Sequence, residues 1–378
     1  MKIGLIANSS LWLQPFATNL SLNHEVWWCV FEKEIYDLLL LKGAKNIFFE
    51  EDKLNLVVTH LGNKYRYSDP GNTEKNFINA IRPNIIITDV STRLSNCTKD
   101  CIWIYTAHSF CYKKYTFHES LLKFDGIIIP GRYYLDEFPK RLQVDHSFPI
   151  LIPTGFPKLD LLHNFKNNRA QILHDIKFDP YQKVGLYAPT WGGSTSKTEW
   201  GNALFPRWSH RDHLAILEKL LASLYESGIQ MIIKPHHVAV IDMKEQISII
   251  CKKYGAFFVT DTPTKIADPF EYIIASDFLI SDLSGIILEF LALDKPVVFI
   301  EPESNTAWDD SSIPPTLRFG GVVDSVESLI LESISAAESG SDYYKNKRQF
   351  VKEQLLTFDS PNAIEKSIHE IFLHFPTQ

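Results

Sequence analysis

The chain is short of cysteine, of long apolar runs and of positive charge, and each shortage removes a class of protein. Its five cysteines, Cys29, Cys97, Cys101, Cys111 and Cys251, are odd in number and include no CxxC pair. That set fits neither a disulfide framework nor a four-ligand zinc site, and we read it as reduced thiols of a cytosolic protein. No window approaches the roughly 20 apolar residues of a spanning helix, so any membrane contact is expected to be peripheral, at the inner face of the cell membrane. The opening "MKIGLIANSSLW" has an apolar run too short for a signal peptide and reads as a first strand. A formal net charge of −7 gives the whole molecule no attraction for polyanions, and no nucleic-acid partner is expected. Internal repeats and low-complexity tracts are missing as well.

Chemical signatures are also missing. The chain has no GxxxxGK[ST] phosphate loop and no GxGxxG dinucleotide fingerprint, which excludes the common nucleoside triphosphatases and NAD enzymes. It has no Asp-x-Asp, which weakens a metal-dependent transferase. Neither a cofactor nor a metal is expected.

What is present is an ordinary globular composition, 45% hydrophobic and 22% charged with 17 Gly and 20 Pro, over 378 residues. That length suits two domains of roughly 150 to 200 residues each. Short apolar, β-rich runs alternate with helical patterns, which predicts an α/β fold around parallel sheets. The strand candidates fall into two series: residues 3–7, 26–30, 84–89, 102–106, 126–130 and 150–153, then 183–188, 230–234, 256–259, 278–281 and 297–300. Helices are expected over 210–226, 243–254, 284–293 and 325–337, with Gly228 and Gly255 in left-handed positions after two of them. The stretch between the series, from "TGFPKLD" to "DPYQK", holds no strand-like run. The expected division is residues 1–168 and 169–378, with room for the last helix to pack back on the first domain.

Four segments stand at the ends of these strands, where open α/β sheets bind ligands. "SDFLISDLSGIILEF" spells strand, turn and helix, with Asp277 and Asp282 on either side of the strand. Helix-opening N–H groups at such a turn attract an anion, and Ser284 either caps that helix or bonds a phosphate oxygen. "IIKPHH" puts Lys234, His236 and His237 after another strand, as phosphate or acid-base groups or as a solvated loop. "IYTAHSF" puts His108 at a strand end of the first series, as a general base or a structural histidine. "GLYAPTWGGST" is rich in small residues that let backbone approach a ligand.

The succession "TAHS", "FDGIIIPGRYYLDEFPKRL", "IPTGFPKLDLL", "GLYAPTW", "IIKPHH" and "SDFLISDLSGIILEFLALDKPVVF" resembles the CDP-glycerol glycerophosphotransferase family of teichoic-acid and capsule enzymes, over residues 84 to 302. The resemblance implies a GT-B architecture of two Rossmann-like domains facing across a cleft, the first on the acceptor side and the second binding the nucleotide donor. It implies His108 and His236 as catalytic residues, and Thr190, Trp191, Lys234, His237, Asp282, Ser284 and Gly285 as donor-binding residues. Asp282 is expected to fix the turn, because a carboxylate beside a diphosphate would repel it. The pattern departs from the family at Ser109 and Gly285, where Gly and Ser are usual, and at Gly192 and His237, where Arg and Pro are usual. The implied activity is transfer of glycerol phosphate, or a related phosphoalditol, from a CDP-linked donor to a hydroxyl of a surface glycan or lipid-linked acceptor, with release of CMP. The rival readings are a CMP- or UDP-sugar glycosyltransferase of sialyltransferase type, a UDP-sugar epimerase or hydrolase, and a non-catalytic nucleotide-sugar binding subunit.

Overall fold

The structure, a computed structural model, describes residues 1–6, 11–51, 56–60, 63–67, 69–91, 101–107, 114–142, 148–165, 168–189, 205, 208, 211–235, 244–259, 269–282, 284–301, 317–338 and 343–376. Its strands are β1 (Lys2–Ile6), β2 (Glu25–Cys29), β3 (Ile47–Phe48), β4 (Leu56–His60), β5 (Asn63–Tyr67), β6 (Ile85–Thr88), β7 (Ile102–Thr106), β8 (Gly126–Ile128) and β9 (Ile150–Ile152) in the first half. The second half carries β10 (Lys183–Tyr187), β11 (Ile229–Ile233), β12 (Phe257–Phe258), β13 (Phe278–Ser281), β14 (Val297–Ile300) and β15 (Val322–Val323). Seven strands form one sheet in the order β3-β2-β1-β6-β7-β8-β9, six form another in the order β12-β11-β10-β13-β14-β15, and β4 and β5 make a separate antiparallel pair. Every pairing within the two large sheets is parallel.

A parallel sheet is covered on both faces, so its strands read as unbroken apolar runs rather than alternating ones. β6, β8, β13 and β14 are buried at every position. The sequence reading has no counterpart for β3, for the edge strand β15 or for the β4–β5 pair. A two-residue strand carries no period, and "NKYRY" of β5 has no apolar run.

In both sheets the chain begins in the middle, builds to one edge, and returns to build to the other. The reversal falls between β1 and β6 in the first sheet and between β10 and β13 in the second. The carboxyl ends of strands flanking such a reversal diverge and leave a crevice.

The helix His213–Glu226 starts where the Asp212 carboxylate accepts the N–H groups of Leu214 and Ala215, each at 3.1 Å. That cap places the start three residues later than 210. Its buried residues Ile216, Leu217, Leu220, Leu221 and Leu224 recur at three and four spacing, each contributing about 1.5–3 kcal/mol through burial. Gly228 and Gly255 do take left-handed backbone, with φ of 70° and 64°. The helix Val326–Ala337 opens on a capping box between Ser325 and Ser328. The helix expected over 284–293 is shorter, Ile287–Ala292. Residues before it form a turn in which the N–H groups of Ile287 and Leu288 reach the Ser284 and Gly285 carbonyls at 3.2 and 3.1 Å.

The segment joining the two sheets is helical, Lys158–Phe165 and Arg169–Asp175. Leu159, Leu162, Ile172 and Leu173 lie in a hydrophobic cluster that also holds Ile127 of the first sheet and Leu186 and Leu279 of the second. The motif "TGFPKLD" is a joint. Asp160 accepts the N–H groups of Ala363 and Ile364 at 3.1 and 2.9 Å, capping the helix Ala363–His374, and the Thr154 and Ser367 hydroxyls are 2.6 Å apart. That last helix packs on the first sheet, where Ile364 and Ile371 join the core with Ile3 and Ile85. The helix before it, Lys345–Leu355, touches both halves. Lys352 Nζ donates to the Ala292 carbonyl at 2.6 Å, Arg348 pairs with Asp294 at 2.7 Å, and the Leu355 backbone lies against Gly131.

Candidate functional site

Three of the segments picked out in the sequence leave the second sheet side by side. β10 runs into Ala188-Pro189, β11 into Lys234-Pro235, and β13 into Asp282. Because β10 lies between β11 and β13, these roots are bonded to one another although they are far apart in the chain. The Lys234 N–H donates to the Tyr187 carbonyl at 2.8 Å and the Ala188 N–H to the Ile280 carbonyl at 3.1 Å. The fully buried Ser281 hydroxyl donates to the Ala188 carbonyl at 2.6 Å, directly across the reversal of strand order.

Asp282 follows and is only 2% exposed. Tyr187 is raised well above the ordinary phenol range, first by its own burial and second by the Asp282 carboxylate. Asp282, buried where β13 ends, thus lies near enough to Tyr187 at the end of β10 for its charge to be felt there. Ser284 and Gly285, two and three residues further on, are half-buried. The position that caps the helix Ile287–Ala292 is Ile286, with no side chain bonded to the helix end. Ser284 is thus not a structural N-cap, and its hydroxyl has no hydrogen-bond partner among the described residues. Lys234 is half-buried at the root of its segment. Thr190, Trp191, His236 and His237 lie outside the described residues, as does His108.

The first sheet repeats the device. At its own reversal the Thr88 hydroxyl donates to the Ile6 carbonyl at 2.8 Å, and the next residue, Asp89, is buried and accepts the indole N–H of Trp12 at 3.0 Å. The sequence reading did not single out Thr88 or Asp89, yet "IITD" and "LISD" close two central strands with a hydroxyl followed by a carboxylate. β7, beside β6, ends at Thr106, and Ala107 follows it, both buried, immediately before His108.

Two other charged residues of "SDFLISDLSGIILEFLALDKPVVF", Asp277 and Lys295, have structural work at the opposite end of the sheet. Asp277 accepts the Val184 N–H at 2.8 Å and Arg169 at 3.0 Å. Lys295 Nζ donates to the carbonyls of Ile273, Ile274 and Ser276 at 2.8, 3.2 and 2.6 Å, closing the helix Phe270–Ala275. Its burial lowers the amine to about 8. Among the described residues no three His, Cys, Asp or Glu side chains are grouped to hold a metal ion, and no helix is long and apolar enough to cross a membrane.

The family model described as CDP-Glycerol:Poly(glycerophosphate) glycerophosphotransferase matches residues 111–373. The chain is 28% identical over 197 residues to the teichoic acid poly(glycerol phosphate) polymerase of Bacillus spizizenii, covering 51% of this chain and 44% of that one. It is 26% identical over 204 residues to the polymerase of the same name from Bacillus subtilis, covering 52% of this chain and 24% of that one. The match spans less than half the length of either relative. Among solved structures, the wall teichoic acid polymerase TagF superposes with a TM-score of 0.66 at 16% identity, covering 100% of this chain and 90% of that one. A UDP-N-acetylglucosamine 2-epimerase superposes with a TM-score of 0.62 at 12% identity, covering 99% and 95%. At these identities the structural likeness speaks for the fold, two Rossmann-like α/β sheets of the GT-B type. The family match covers well over half of the chain, and this protein belongs to the CDP-glycerol:poly(glycerophosphate) glycerophosphotransferase family.

Proposed function

We propose that this chain transfers glycerol phosphate from CDP-glycerol to a hydroxyl group of a teichoic-acid-type or other surface-polymer acceptor carried on a glycan or lipid, and releases CMP. The observation that carries this reading is the convergence of Ala188, Lys234 and Ser281-Asp282 at the strand reversal of the second sheet, each the root of a segment that matches the family pattern. In the reaction the acceptor oxygen attacks the phosphorus that bears glycerol, and the bond from that phosphorus to the bridging oxygen breaks. CMP leaves with the electron pair, and the acceptor proton passes to a base.

We assign that base to His108, since an imidazole takes a proton near neutral pH. We assign stabilisation of the charge on the diphosphate to His236, Lys234, the Ser284 hydroxyl and the backbone at Gly285, with Thr190, Trp191 and His237 completing the donor site. Asp282 holds the turn. Residues 1–168 form the acceptor-side domain and 169–378 the donor domain in this scheme. The reaction needs no divalent metal, and the protein works in the cytoplasm, in peripheral contact with the inner face of the membrane.

CMP release from CDP-glycerol, measured with and without a glycerol-phosphate acceptor, tests the proposal. Release only with acceptor is the expected result. CMP without acceptor would identify a hydrolase, and binding without turnover a non-catalytic subunit. A thermal-shift panel of CDP-glycerol, CDP-ribitol, CMP-sialic acid and UDP-sugars ranks the donors, because a ligand of the folded state raises its stability. Stronger stabilisation by CMP-sialic acid would favour the sialyltransferase type.

A further inference from the structure

We infer that Lys158 and Glu289 form a positioning pair that couples the turn after β13 to the segment joining the two sheets. The inference rests on the donor reading above. Glu289 lies in the helix Ile287–Ala292, one turn beyond Ser284-Gly285, and Lys158 opens the joining helix Lys158–Phe165. Lys158 Nζ meets Glu289 Oε1 at 2.8 Å, with the two side chains only 12% and 1% exposed. The second carboxylate oxygen, Oε2, is buried and has no hydrogen-bond partner among the described residues. Lys158 also lies 5.5 Å above the Phe270 ring.

A pair this deeply buried is a poor source of stability, because desolvation of both ions offsets their attraction. Its best-attested use is to fix the register of two elements that apolar packing would let slide. The helix itself buries Ile287, Leu288, Phe290 and Leu291, and apolar burial is non-directional. The ion pair is directional and supplies the register. The same motif ties the joining segment to the last helix through Asp160, so a movement of the first sheet reaches Ser284 through two rigid links. Lys158 and Glu289 are positioning residues on this view. They touch no reacting atom, and they set how far the donor turn stands from the groups of the first sheet.

Hydrogen exchange on the full chain, wild type and Glu289→Gln, with and without CDP-glycerol, tests the coupling. In the wild type the donor is expected to slow exchange both at the turn near Ser284 and in the helix Lys158–Phe165. In Glu289→Gln, which keeps the shape and one hydrogen bond, protection is expected to persist at the turn and vanish from the joining helix. The accompanying kcat should fall on the order of 10²-fold, as small misplacements of reacting groups do, while KM for CDP-glycerol changes less than about threefold. Lys158→Met is expected to match it, and the double variant to be no slower than the slower single one. Unaltered protection of both regions in Glu289→Gln, or a lowered thermal midpoint with unchanged kcat, would sink the inference while leaving the donor reading intact. No protection anywhere by CDP-glycerol in the wild type would overturn the donor reading and this inference together.

Discussion

The Ser281 hydroxyl donates to the Ala188 carbonyl at 2.6 Å, from the last residue of β13 to the first residue beyond β10. This bond spans the place where strand order reverses, so it ties the "APTW" segment to the "SDLSG" turn at their common root. Replacing Ser281 with Ala leaves a buried carbonyl without that donor, which costs roughly 1–3 kcal/mol. The thermal midpoint of Ser281→Ala should fall and CMP binding should weaken. A variant as stable and as avid as the wild type would show that the bond is incidental.

Ser284 gives the contrasting case. Its hydroxyl bonds nothing among the described residues, so Ser284→Ala should leave the thermal midpoint unchanged. Affinity for CDP-glycerol should drop by about 1 kcal/mol for a neutral hydrogen bond, and by more where phosphate charge strengthens it. Calorimetric titration with CDP-glycerol separates the outcomes, and unchanged affinity would remove Ser284 from the site.

The two histidines should differ in kind. His108→Ala is expected to reduce turnover on the order of 10²-fold or more with donor affinity nearly unchanged. His236→Ala should impair both, since a phosphate contact acts in the ground state and the transition state alike. Single-turnover kinetics alongside equilibrium CMP binding would distinguish them, and the reverse pattern would exchange their roles.

Lys295 makes a prediction about pH. Its amine is lowered from an ordinary 10.5 to about 8, chiefly by burial, with Asp277 opposing and Arg169 assisting. The unfolded chain therefore binds the proton more tightly than the folded one. Stability carries the full cost of the buried charge below pH 8 and rises as pH climbs from about 8 to 10.5, by up to about 3 kcal/mol. Lys295→Met should flatten that rise in chemical denaturation series run across the window. An identical slope in variant and wild type would place the titration elsewhere.

Gly131 tests how the helix Lys345–Leu355 seats on the first half. A Cβ there would collide with the Leu355 backbone carbonyl group, which has no flexible atom to yield. Gly131→Ala should destabilise the fold by roughly 1–3 kcal/mol, as overpacking does. An undiminished thermal midpoint would mean that the helix Lys345–Leu355 shifts freely on the first half.

The sequence by itself determined the two sheets and the strands at their centres. Parallel strands covered on both faces must be apolar at nearly every position, and "NIIITD", "IWIYT" and "FLIS" show that composition without any knowledge of partners. It also determined the left-handed helix ends at Gly228 and Gly255, whereas the cap at Asp212 went unread and left that helix start three residues early. The helix after β13 starts three residues beyond Ser284, because residues 284–286 form a turn that puts Ile286 in the capping position, and local sequence does not distinguish that turn from a first helical turn. Tertiary structure alone decided which strand ends become neighbours. The bond between Ser281 and Ala188 joins positions far apart in the chain, and strand order has no trace in local periodicity. It alone gave "TGFPKLD" its work, since Lys158 and Asp160 find Glu289 and the last helix only after both halves have folded. A charged side chain in a turn-rich segment carries no sign of being buried until its distant partner arrives to neutralise it.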